Sequence, residues 1–303
     1  MQNFEDATGI QIVYTASPGN DDMLAKVNAD PTMFDLVALS DVYVGMMNTQ
    51  KLLFPIDPAR IPNYPNIDPT YQGQYYDPDN QYSIPYTSYV PLIVYNPDMV
   101  SFDVTGYADL WNSEFNNKLS CVGDSRTIIG MAQKKLGFSF NETDPDKMAQ
   151  VGDELMKLKP NIMSLNDDTP HNALISGDAS AGIMFGSQIE AARAALPNLK
   201  VVYPKEGLAF GIDCLVVPSG AKHVDATYIF LNYLLDGRVS AYTSMLINYT
   251  NCNLAAPPFL SDEFKNNDTV NIPKDIMKTA EMMKPLPADA QTLYNNIWVN
   301  FMQ

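Results

Sequence analysis

GLAFGIDCLVVPSGAK, residues Gly207 to Lys222, is a strand-like run interrupted by one ionisable side chain. Leu208, Ala209, Phe210 and Ile212 lead in, and Cys214, Leu215, Val216 and Val217 lead out before Pro218. An apolar run of this length, closed by Pro, Ser and Gly, reads as a strand. Between its halves sits Asp213. An ionised carboxylate there loses hydration unless a cation or hydrogen-bond donors meet it. Asp213 therefore needs a partner.

On either side of this run, strand-like and helix-like segments alternate, the pattern of an α/β protein. GIQIVYT (Gly9–Thr15), FDLVAL (Phe34–Leu39), PLIVYN (Pro91–Asn96), LSCVGD (Leu119–Asp124) and SAGIMFG (180–186) read as strands. NDDMLAKVNA (Asn20–Ala29) reads as a helix, as does the segment after Ser40, whose first turn carries Asp41. SRTIIGMAQKKLG ends a helix at Gly137, and DPDKMAQVGDELMKLK carries Pro145 in a first turn. SQIEAARAAL, DATYIFLNYLLD and the amphipathic tail ADAQTLYNNIWVNFM complete the helices. From Phe54 to Tyr86 the chain is rich in Pro, Tyr, Asn and Asp, the composition of long ordered loops.

The 303 residues are enough for about two domains, and 46% apolar residues supply real cores. Acidic residues outnumber basic ones, 35 to 19, for a net charge of −16. That sign argues against nucleic acid and anionic membrane surfaces as partners. It would draw in cations, although it also serves solubility. No stretch of about 18 apolar residues could cross a membrane, and no basic-then-apolar leader opens the chain. Cys121, Cys214 and Cys252 show no CxxC spacing and lie in or beside apolar segments, so buried free thiols are expected.

The usual signatures of catalysis are missing. The two histidines, His171 and His223, lack metal-ligand spacing, and there is no GxSxG, GxGxxG or Walker loop. We expect no enzyme, no cofactor and no metal.

Several phrases in order along the chain resemble the polyamine-binding members of the type II periplasmic solute-binding proteins of ABC importers. They are FEDATGIQIVY, DLVALSDVYVGMM, LLFPIDPARIPNYPNIDPTY, YSIPY with VYN, VVYPKEGLAFGIDCLVVPSGAK, NYTNCNLAA and DAQTLYNNIW. The resemblance implies two α/β lobes with mixed sheets that close on a diamine or triamine in an interlobe cleft. Protonated amines need anionic acceptors, and an aliphatic cation gains from ring faces. Asp213 falls where the family places its principal amine-binding aspartate; the alternative is a hinge aspartate held by backbone N–H groups. Asp124 matches the acid for the second amine, with helix capping as its rival role. Ser40 sits at a contact position that is also a helix N-cap. Phe185 falls where the family has a stacking Trp and could equally be core. Tyr249 matches a lining tyrosine, against plain packing.

This chain departs from the pattern. Val42 and Gly211 stand where relatives carry rings, Thr127 replaces a second carboxylate after Asp124, and Lys284 takes the place of a glutamine. After IPY, TSYVP replaces the usual Trp-Gly, which puts Tyr89 into the cleft. With two matching carboxylates, the chain leans towards putrescine over spermidine. The family also begins with a strand and helix ahead of FEDATGI, so a βα unit of roughly 25–30 residues is expected to be missing, with a signal peptide or lipid-attachment cysteine further upstream.

The expected lobes are 1–96 with 213–257 and 97–212 with 258–303, hinged near Asn96, Ile212 and Pro257. The expected protein is a monomer, periplasmic or lipid-anchored on the outer face of the cytoplasmic membrane, passing a polyamine or other small cationic solute to ABC permease subunits. Alternatives are the same fold binding an amino-alkyl compound, a sugar or ferric ion, a hydrolase or lyase on this fold, and an interaction module without ligand.

Overall fold

The apolar run around Asp213 is a strand, Ala209–Val216, whose two halves pair with different neighbours. The structure is a computed structural model that describes residues 1–17 and 19–303. In chain order its strands are β1 (Val37–Ser40), β2 (Ser83–Tyr89), β3 (Leu92–Tyr95), β4 (Leu119–Cys121), β5 (Ile162–Leu165), β6 (Ala181–Met184), β7 (Lys200–Val202), β8 (Ala209–Val216), β9 (Thr250–Asn251) and β10 (Glu281–Met282). One sheet runs β1-β8-β2-β9, and the other β5-β4-β6-β3-β7.

The chain divides into two compact units, Met1–Ser88 with Gly211–Lys265, and Tyr89–Phe210 with Asn266–Gln303. These limits differ from those expected from sequence. The first crossing lies at Ser88/Tyr89 rather than near Asn96, because Leu92–Tyr95 pairs with β6 and β7 and so belongs to the second sheet. The second lies at Phe210/Gly211 rather than after Ile212. Ala209 and Phe210 pair with β10, whereas Asp213 to Val216 pair with β1. The third follows Lys265 rather than Pro257.

In the first unit β1 lies antiparallel to β8 with Val37 opposite Val216 and Ser40 opposite Asp213. Its core gathers Ile84 of β2, Leu215 of β8, and Tyr228 and Leu231 of the helix Val224–Leu234. The Pro-rich stretch before β2 is ordered by short 3-10 turns whose N-caps, Asp57 and Asp68, accept the N–H of Ala59 and Thr70. Asp77 accepts the N–H groups of Gln81, Tyr82 and Ser83, and so orders the approach to β2.

GIQIVYT, expected as a strand, is not one. It has no ladder partner among the described residues, with Val13 93% and Tyr14 71% exposed. Gly9 ends the helix Gln2–Thr8 at φ 72°, and the Thr8 hydroxyl and Glu5 carboxylate accept the N–H groups of Ile10 and Ile12. Alternating residues make a strand only where a neighbouring strand takes up the backbone groups.

In the second unit β4 is parallel to both β5 and β6, and β3 is antiparallel to β6 and β7. Helices Ser125–Lys135, Pro145–Leu158 and Ala288–Met302 cover it, contributing Ile128, Val151 and Tyr294 to the core. Glu206, in the YPKEG phrase before β8, accepts the N–H groups of Tyr107 and Ala108 and caps the turn Tyr107–Trp111. The three cysteines are buried and free. No helix among the described residues is long and apolar enough to cross a membrane.

Candidate functional site

Asp213 lies in the middle of β8, directly opposite Ser40 at the end of β1. Burial pushes its carboxyl up to about 6, against a smaller lowering by the Thr87 hydroxyl, which donates to Oδ2 at 3.4 Å. Among the described residues no lysine, arginine or histidine forms an ion pair with it. Burial also raises the phenol of Tyr249, and the nearby Asp213 charge raises it further. The first unit thus brings together Ser40, Asp213 and Tyr249, and adds Thr87, 2% exposed. Thr87 and Ser88 occupy the TSYVP phrase; the Ser88 hydroxyl donates to the carbonyl of Gly211 at 3.0 Å, so two of the sequence departures meet on neighbouring strands.

Ser40 stands at the N-cap of the helix Asp41–Thr49, but its hydroxyl makes no capping bond there, contrary to the capping role open from sequence. Its N–H instead donates to the Asn20 side chain. Behind the strand, the Cys214 thiol donates to the Tyr76 hydroxyl at 3.3 Å. The adjacent rings of Tyr75 and Tyr76 stand edge to face, 5.4 Å apart.

The second unit places its residues just past the carboxyl ends of three neighbouring parallel strands, the position where open α/β sheets bind ligands. Asp124 follows β4, Asp167 follows β5 and Phe185 follows β6. The Asp124 carboxylate accepts the Thr127 N–H at 2.7 Å and caps the helix Ser125–Lys135. Thr127, the residue in place of a second acid, is buried in that first turn. Phe185 packs partly against the core and meets Tyr89 edge to face, with ring centroids 5.6 Å apart. Lys284 is exposed; its carbonyl accepts from Arg126 and its N–H donates to Asn141.

Two residues that the fold brings beside the expected site residues carry no signal in the local sequence. Thr87 faces the carboxylate only because β2 lies beside β8, which no local pattern announces. Asp167 lies beside Gly123 through the pairing of β4 with β5, and its Oδ1 accepts the Gly123 N–H at 2.8 Å. The NDD run around Asp167 is visibly acidic, but nothing in it specifies a neighbour.

The cap of Asp124 is directly testable. Asp124→Ala should cost about 1 kcal/mol of stability through the lost cap and, in the same protein, weaken ligand binding. A melting-temperature loss with ligand affinity intact would reduce Asp124 to its capping role.

The chain is similar to several known proteins. The spermidine/putrescine-binding periplasmic protein of Salmonella typhimurium is 34% identical over 302 residues, which is 99% of this chain and 82% of that protein. The putrescine-binding periplasmic protein PotF of Escherichia coli is 32% identical over 296 residues, 91% of this chain and 80% of that one. The spermidine/putrescine ABC transporter substrate-binding protein PotD of Streptococcus pneumoniae, solved with calcium and HEPES, superposes with a TM-score of 0.91 at 28% identity, covering 99% of this chain and 93% of that one. Residues 1–272 match the model of the bacterial extracellular solute-binding proteins, and the chain belongs to that family.

Proposed function

We propose that this protein is the extracytoplasmic binding component of an ABC importer and that its solute is a polyamine. The observation that carries the reading is Asp213, a largely buried carboxylate beside Ser40, Thr87 and Tyr249 that has no protein cation to pair with among the described residues. An ammonium group supplies that charge and donates to the surrounding oxygens. In the second unit Asp124, Phe185 and Tyr89 offer an acid and two ring faces, the groups that suit an amine and its methylenes. The names of the relatives support the same solute class, a periplasmic location and transport rather than catalysis.

Calorimetric titration with putrescine and spermidine tests the reading, with amino acids and sugars as controls. Saturable one-to-one binding of either polyamine is expected. Binding of a neutral sugar in preference to both would overturn it.

A further inference from the structure

We propose that Asp167 is a third carboxylate of the ligand site and the residue that fits it to a triamine; this rests on the polyamine reading above. The sequence shows two matching acids and a threonine at 127, which on its own points to the shorter diamine. The fold brings in another acid from the neighbouring strand. β4 and β5 are adjacent and parallel, with Cys121 opposite Leu165, so the loops that carry Asp124 and Asp167 leave the same end of the sheet side by side. The Asp167 carboxylate lies 3.2–3.4 Å from where a Cβ on Gly123 would stand, so the glycine immediately before Asp124 lets the two loops approach.

The position of Asp167 is held from behind. Gln188, 8% exposed, donates from Nε2 to the Asp167 carbonyl at 2.6 Å, while its Oε1 accepts the Phe185 N–H at 3.0 Å. One buried amide therefore fixes the acidic loop relative to the ring that follows β6. Neighbouring strands stand about 4.8 Å apart, comparable with the separation of two nitrogens across three methylenes. Asp124 and Asp167 can thus each face one of two such nitrogens. Spermidine has a pair of nitrogens three methylenes apart, whereas the two nitrogens of putrescine are separated by four, so only the triamine matches this pair of acids at that spacing.

The test is the ratio of spermidine to putrescine affinity in the wild type, Asp167→Asn and Asp167→Glu at neutral pH. Asn keeps an acceptor for the Gly123 N–H, so the loop should persist and the melting temperature should hardly move. Asp167→Asn is expected to weaken spermidine tenfold or more and putrescine threefold or less, with Asp167→Glu retaining most of the spermidine preference. Wild-type binding with a ratio that Asp167→Asn leaves unchanged overturns the role of Asp167 alone. Wild-type protein that binds neither polyamine overturns both this role and the polyamine reading.

Discussion

Replacing Asp213 with Asn is expected to weaken polyamine binding by well over tenfold while making the ligand-free fold more stable. Removing one partner of a buried, hydrogen-bonded charge pair costs about 2–5 kcal/mol, and in the proposed reading the ligand ammonium is the other partner of Asp213. In the free protein the same carboxylate is a liability. Burial raises it from 3.8 to about 6, and each tenfold gain in proton affinity on folding corresponds to about 1.4 kcal/mol between its two protonation states. At neutral pH the ionised form therefore costs up to about 3 kcal/mol of stability. Asparagine removes the charge and can still accept from Thr87. Denaturant unfolding and calorimetry on one preparation read both effects. Unchanged affinity would return Asp213 to a structural role, and a large loss of stability would show that its charge is already satisfied.

Acidification should produce two opposite trends from this single group. The folded-state value, about 6, lies above the unfolded one, so the folded chain takes up the proton first as the pH falls. The penalty is fully present above pH 6 and disappears between about pH 6 and 4. The stability gap between ligand-free wild type and Asp213→Asn should therefore close as the pH is lowered from 7 to 4. Taking the difference removes carboxylates displaced the other way, such as Glu154 and Glu281, held low by Lys135 and Lys134 against their burial. Polyamine affinity should fall over the same range, by about tenfold for each pH unit below 6, because only the ionised carboxylate pairs with an ammonium. A pH-independent gap, or an affinity flat from pH 7 to 5, would mean that Asp213 does not carry the binding charge.

Local patterns were enough for the class of fold, the lone acid and most of the helices. Segments with strong end signals came out residue for residue: Asn20–Ala29 and Ala288–Met302 are the helices their patterns predict. Pro145 starts another where a first-turn proline should. Asp213 stood out because a charge inside an apolar run is costly wherever the run packs. Everything lateral came from packing instead. GIQIVYT has a strand's alternation but no neighbour among the described residues to complete its ladder, and its exposed Val13 and Tyr14 show that periodicity cannot supply a partner. The limits of the units follow which sheet β3 and each half of β8 join, a choice made by strands distant in the chain. Thr87 reached Asp213, and Asp167 reached the loop of Asp124, through the lateral order of strands. Local sequence encodes the period of a strand and the ends of a helix, whereas lateral order is fixed by burial of whole faces against each other. The number of acids gathered at one end of a sheet is therefore a property of the sheet.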